Sequence, residues 1–377
     1  MSTATPSAYE LRRLMTDQLT AAGSLHSERW IAAFSSVPRH LFVPKFTVRS
    51  EGSLHAYDQA DPMWLAAAYR DTSLLTQFDA TGVATSSSTR PSLMARMLEA
   101  LDVVDGDKVL EIGVGTGYNA ALLAHRLGDD RVVSLDVDPD LVSLARDRLG
   151  RSDHMPTVIV GDGLDGCDEH APYDRLLATC GVGRIPDAWR EQVRPGGVIV
   201  ANVGYGITRL TIDRDHRAEG RFLPELAAFM AARPDTSTLS ATPQQLTDLT
   251  TTYTGSSREI SLPIGLGAEI AQFLPSLAHP TVKTIVLKND SGREMRCLWE
   301  PRTESWARIT PLDVRTAQLD HQGPRDLWAE LEPLLTHWVS AGRPSVDRYG
   351  LSVDTDGAHT LWLDEPANEV GSLPASE

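Results

Sequence analysis

Three carboxylates and a cluster of glycines fall where a small ligand would need them. Glu111 sits in the apolar run 109–112, which is followed at once by Gly113, Gly115 and Gly117 and then by a helix-forming stretch, 120–127. Glycines at a strand-to-helix junction let the backbone turn sharply and let a ligand approach the amides of the helix N-terminus. The dinucleotide-binding pattern would need a further glycine at 118, where Tyr118 stands. Glu111 would also repel a pyrophosphate, whereas it suits a ligand with a cationic end, such as the ammonium of a methionine moiety. Asp136 closes the next apolar run nineteen residues after Gly117, the spacing of an acid that accepts from two ribose hydroxyls. A third run, 157–160, leads into Gly161-Asp162-Gly163, where a carboxylate could accept from an adenine amino group. Taken in order, the three point to S-adenosyl-L-methionine, whose product form is S-adenosyl-L-homocysteine. The expected cofactor-side residues are Glu111, Gly113, Gly115, Gly117, Asn119, Asp136, Val137, Asp162, Gly163 and Thr179.

Upstream, five hydroxyl residues run together from Thr85 to Thr89 before Arg90-Pro91. They read as a polar loop. Capping the helix that follows needs only one of them. The others form a candidate rim for a substrate, with Ser88 and Thr89 as catalytic candidates and Ser86 and Ser87 as substrate contacts. Tyr69, beside Arg70 and Asp71, either lines a cleft or is a plain surface tyrosine.

From 108 to 212 strand and helix patterns alternate, with strands ending near Ile112, Leu135, Val160, Ala178 and Val203. That alternation implies a parallel sheet covered on both faces, with ligands bound outside the carboxyl ends of its strands. The fold class is α/β and Rossmann-like, with a helical N-terminal segment, 1–82, a core, 83–212, and an α+β accessory region, 213–377. In that last region 231–258 reads as loop or linker, and 281–300 as a hairpin turning at Asn289 to Gly292. A helix spans 327–338 and is interrupted at Pro333. A hairpin joins 349–353 to 359–363, and the tail from Glu365 is expected to be disordered.

Composition bounds the partners. A formal net charge of −16 argues against nucleic acid, whose binding needs clustered Lys and Arg. No run of ~18 apolar residues occurs, so no membrane span is expected. Three cysteines without C-x-x-C spacing, and the lack of a signal-peptide pattern, suggest the cytoplasm. The histidines show no ligand spacing, so no metal is expected. No pattern bears on oligomeric state.

With these residues placed, the chain resembles the protein-L-isoaspartate O-methyltransferases from about Leu19 to about Gly204. The resemblance rests on Val37-Pro38-Arg39, Phe42-Val43-Pro44, the loop from Val109 to Tyr118, Ala171-Pro172-Tyr173-Asp174 and Arg194-Pro195-Gly196-Gly197. It implies a seven-stranded class I methyltransferase sheet, S-adenosylmethionine as donor and a peptide carboxylate as acceptor. Thr89 keeps a hydroxyl where the family has its active-site serine, while Ser88 replaces an apolar residue. The arrangement is also similar to actinobacterial homologues encoded with ribosomally made, post-translationally modified peptides such as lanthipeptides, graspetides and lasso peptides, which esterify an aspartate that then closes to an aspartimide. Three readings follow: such a peptide-tailoring enzyme, a general isoaspartate repair enzyme, and a cofactor-binding module without catalysis. The accessory region, taken as one that repair enzymes lack, favours the first.

Overall fold

In the computed structural model, which describes residues 6–50, 53–233, 255–265, 270–288, 292 and 294–375, the chain begins with the two helices its apolar spacing requires. α1 (Ala8–Ala21) starts with a capping box, Ser7 accepting from the Glu10 N–H while Glu10 accepts from the Ser7 N–H. It buries Met15 and Leu19, and packs on α2 (Glu28–Ser36), which buries Trp30 and Phe34. The next segment differs from expectation. Residues 39–42 wind into a 3-10 turn. Beyond it the supposed helical segment is largely sheet. β1 (Lys45–Ser50), β2 (Ser53–Asp58), β3 (Leu74–Phe78) and β4 (Ala84–Ser88) pair antiparallel in the order β2-β1-β3-β4, with a short helix α3 (Trp64–Ala68) between β2 and β3. The hydroxyl run is therefore mostly a strand, not a loop. Leu74 pairs with Ser88 and Leu75 with Ser87. Small polar side chains carry no apolar alternation, so this strand was invisible to a hydrophobic pattern.

α4 (Pro91–Leu101) begins with Pro91, whose missing N–H is harmless in a first turn, and packs on the core sheet through Leu93, Met97 and Leu98. The core strands are β5 (Val109–Ile112), β6 (Val132–Asp136), β7 (Thr157–Val160), β8 (Tyr173–Val182), β9 (Val193–Val203) and β10 (Gly206–Ile212), in the order β10-β9-β8-β5-β6-β7. Residues 218–220 of the following strand, β11 (Ala218–Leu226), lie beside β10; a side chain at Gly220 would collide with the Arg209 carbonyl. β8, β5, β6 and β7 run parallel. Parallel strands need crossover helices, and α5 (Tyr118–Leu127) and α6 (Pro139–Arg151) supply them, α5 packing on β6 and α6 on β6 and β7. β5 is buried at all four positions, as expected of a strand covered on both faces. By compactness the chain divides into one unit of residues 1–202, 208–220 and 229–238 and a second of 203–207, 221–228 and 239–377.

The second unit holds a five-stranded antiparallel sheet. Its strands are β12 (Ser256–Ser261), β13 (Lys283–Lys288), β14 (Glu294–Glu300), β15 (Ser305–Pro311) and β16 (Thr316–Gln322), in the order β12-β16-β15-β14-β13. β13 and β14 are the hairpin read at 281–300; its turn residues 289–291 lie outside the described residues, as does most of the 231–258 stretch. Two helices, Ile270–Ala278 and Leu327–Ser340, pack on each other. The second runs unbroken through Pro333. One lost N–H bond is outweighed there by the Asp326 cap and by buried Trp328, Leu331 and Leu335. The expected closing hairpin forms from β17 (Tyr349–Val353) and β18 (His359–Leu363). The tail does not fray: β19 (Glu369–Ser372) pairs with β18, and buried Leu373 donates its N–H to His359 O.

Candidate active site

The ends of β5, β6 and β8 converge on the glycine loop. The N–H groups of Gly113 and Val114 both donate to Leu135 O at 2.8 Å, tying the loop to the end of β6. Gly117 has a φ of +88°, and a side chain there would press on Ala145 Cβ of α6 at 3.3 Å, so only glycine allows α5 to start this close to α6. Gly113 backs onto Thr179, and Gly163 onto Ile112. At Gly115 the neighbour is β4: an added Cβ would meet Ser86 Oγ and Ser87 O, each at an ordinary contact distance of 3.7 Å.

Two of the expected ligand residues hold this loop from behind. Glu111 is fully buried, accepting from Asn119 Nδ2 at 2.6 Å and from Ser134 Oγ at 2.5 Å. Burial lifts its pKa to about 7, Ser134 and Asn119 resisting the rise and Asp136 adding to it. The carboxylate thus fixes Asn119 instead of facing a ligand directly. Thr179 Oγ1 donates to the loop carbonyls of Gly113 (2.7 Å) or Ile112 (3.1 Å).

Asp136 is different. Its Oδ2 accepts from the Gly115 N–H at 2.9 Å and its Oδ1 from the Asp138 N–H at 3.2 Å, which orients the carboxylate with lone pairs to spare. Burial raises its pKa, against those two N–H groups. Val137, next to it, is half-buried. Asp162 caps a short turn, its Oδ1 accepting from Leu164 N at 2.9 Å. The set fits a nucleoside with a cationic amino-acid end. Asp136 can take a diol, and the buried Asn119 Oδ1 has no hydrogen-bond donor among the described residues.

On the other side of Gly115 lies β4. Ser86 and Ser88 are buried, Ser86 Oγ accepting from Thr76 Oγ1 at 3.3 Å, while Ser87 and Thr89 are half-buried. Of the two catalytic candidates, Thr89 is therefore the more accessible. Tyr69 is no surface residue: it is 4% exposed, and its hydroxyl bonds His40 Nδ1 at 2.7 Å.

Several neighbours escaped the sequence reading. Ser134 carried a signal, being a lone polar residue inside an apolar strand. Gln77 links β3 to Asp138 Oδ2 at 2.8 Å, a contact with no sequence signature. Cys180, one residue past Thr179, has its thiol pKa raised by burial, then by Asp136 and Asp162, so it shares their surroundings. Residues 230–232 return to the end of β8, with Gly181 N donating to Met230 O and Ala232 N to Gly181 O, each at 2.8 Å.

Comparison with known proteins bears on this geometry. The family model for protein-L-isoaspartate(D-aspartate) O-methyltransferases (PCMT) matches residues 10–225. The protein-L-isoaspartate O-methyltransferase of Methanopyrus kandleri is 36% identical over 196 residues, covering 51% of this chain and 76% of its own. That of Methanothrix thermoacetophila is 37% identical over 193 residues, covering 50% and 81%. A solved protein-L-isoaspartate O-methyltransferase covers 94% of this chain and 100% of its own, with a TM-score of 0.55 and 24% identity, a likeness of fold. That coverage corrects one expectation: a counterpart to the region beyond residue 212 occurs in a protein of that name, so the region is not peculiar to this chain. Among the described residues no helix is long and apolar enough to cross a membrane. The chain belongs to the protein-L-isoaspartate(D-aspartate) O-methyltransferase family and is an S-adenosyl-L-methionine-dependent protein carboxyl O-methyltransferase.

Proposed function

We propose that the acceptor is the carboxylate of an isoaspartyl residue in a peptide or protein, held along the β4 edge of the site. The observation that carries this is the closeness of β4 to the donor loop: a Cβ at Gly115 would lie 3.7 Å from both Ser86 Oγ and Ser87 O, so the hydroxyl row and the loop are neighbours. S-adenosyl-L-methionine supplies an electrophilic methyl group on a sulfonium. Asp136 holds the ribose hydroxyls, Asp162 and Val137 border the adenine, and Asn119, steadied by Glu111, accepts from the amino-acid end. A carboxylate with a pKa of ~4 is already ionised at neutral pH, so no general base is needed. The protein's work is orientation and exclusion of water. Thr89 donates a hydrogen bond to one oxygen of the acceptor and leaves the other free to attack, with half-buried Ser87 at the rim and Ser88 buried behind it. In the ester, the next backbone nitrogen attacks the carbonyl, methanol leaves, and a succinimide forms. The three free cysteines, Cys167, Cys180 and Cys297, accord with a reducing cytoplasm.

A second reading is favoured by one residue. Ser88 places a hydroxyl where the family has an apolar side chain, and that hydroxyl lies 3.5 Å from buried Arg39 Nη2. A changed acceptor pocket suits a normal aspartate in a constrained, post-translationally modified ribosomal peptide, esterified on the way to an aspartimide. The test is initial rates on a linear isoaspartyl peptide, its aspartyl twin and a macrocyclic aspartyl peptide. The first reading expects turnover confined to the isoaspartyl peptide. Turnover confined to the macrocycle would replace it with the second.

A further inference from the structure

Arg39 is wholly buried, yet it forms no ion pair among the described residues. Its guanidinium is instead clasped by main-chain carbonyls. Nη1 donates to Ala68 O at 2.8 Å and Arg70 O at 3.0 Å; Nη2 donates to Thr89 O at 3.1 Å, Thr72 O at 3.2 Å and Ser88 O at 3.4 Å. Nε has no partner. Beneath it, 6.0 Å from the guanidinium carbon, is the ring of Tyr118, the residue that follows Gly117 at the start of α5. The Tyr118 hydroxyl is buried without a partner among the described residues, and the ring is placed by packing against Phe34, Phe42 and the cation. One side chain therefore spans from the acceptor strand to the donor loop.

We propose that Arg39 is a positioning residue for methyl transfer: it fixes Ser88 and Thr89 at one distance from the glycine loop through Tyr118, and its unpaired charge draws the acceptor carboxylate to Thr89. The proposal rests on the acceptor assignment above. Burial lowers the pKa of Arg39 only to about 10, so the charge is present at neutral pH. The two effects separate kinetically. Methyl transfer from a sulfonium to a carboxylate annihilates charge, so a nearby cation favours the bound anion more than the transition state and is felt in acceptor KM. The carbonyl clasp sets the geometry of Thr89 and is felt in kcat. Lysine keeps the charge but cannot reproduce a planar fork that reaches five carbonyls.

The test compares the full chain carrying Arg39→Lys and Arg39→Met with wild type. The measurements are donor Kd, kcat, acceptor KM and amide hydrogen exchange at residues 88–90. Arg39→Lys is expected to keep acceptor KM within about threefold while kcat falls about tenfold. Arg39→Met should also raise KM about tenfold or more. In both, exchange at 88–90 should quicken while donor Kd stays within about twofold. Equal kcat in Arg39→Lys and wild type with unchanged exchange overturns the proposal, as does a donor Kd that worsens in step with kcat, the mark of a merely structural role. Should Arg39→Met fail to fold, the Lys variant decides. Wild-type enzyme that esterifies no aspartyl or isoaspartyl peptide would sink the acceptor assignment instead, and the exchange comparison would then decide whether Arg39 positions Thr89.

Discussion

Glu111 sits between Asn119 Nδ2 and Ser134 Oγ with no exposure, and burial carries its pKa from 4.5 to about 7. An acid whose folded-state pKa lies above its unfolded value binds its proton more tightly when folded. Its contribution to stability therefore turns unfavourable as pH rises from about 4.5 through about 7, and the loss is complete above that. Glu111→Gln removes the ionisation. It is expected to gain stability relative to wild type between about pH 5 and about pH 8, by up to about 3 kcal/mol, in paired thermal melts. A difference that does not change with pH would mean the carboxyl is not so perturbed. In the proposed reading Asp136 holds the donor and Thr89 the acceptor, and their roles separate. Asp136→Asn should weaken donor binding about tenfold or more, because charge-assisted bonds to a diol are lost. Thr89→Ala should lower kcat about tenfold and leave donor Kd nearly intact. Calorimetry for the first quantity and steady-state rates for the second check the pair; a Thr89→Ala enzyme that loses donor binding would contradict the division. At this scale the sequence was legible in residue type and spacing. Asp136 and the glycines stood out, whereas the inward turn of Glu111 depended on Ser134 in a neighbouring strand, twenty-three positions away.

Among the elements, those built on apolar periodicity were readable and those built on partners were not. β5, β6, β8 and helices α4 to α6 announce themselves because each buries a continuous apolar face. β4 does not, being a strand of small hydroxyl residues stabilised by pairing with β3 and by the glycine loop against its edge. The helix through Pro333 likewise relies on burial that a local rule cannot see. β19 reads as a polar tail, yet Leu373 is 5% exposed and pins the chain beside His359. Leu373→Ala should therefore cost about 2–3 kcal/mol in denaturant unfolding. A disordered tail would register no cost.

Across the whole molecule, the family match ends at residue 225, and the second compact unit is formed largely by residues 239–377. Its strands and hairpins were partly legible, but nothing in its sequence named a ligand. A net charge of −16 keeps such a chain soluble and would attract basic peptides more than acidic ones at low salt. The proposed chemistry resides in the first unit, with Thr89 just past the end of β4, Gly115 in the glycine loop and Asp136 at the end of β6. The account stands on carboxyl methylation of a peptide there. The most direct measurement is tandem mass spectrometry of a linear isoaspartyl peptide after incubation with wild-type enzyme and S-adenosyl-L-methionine. The expected product carries one methyl group on the isoaspartyl carboxylate and loses methanol on closing to the succinimide. A methyl group on nitrogen, or an unmodified peptide from an enzyme that binds the donor, would contradict it.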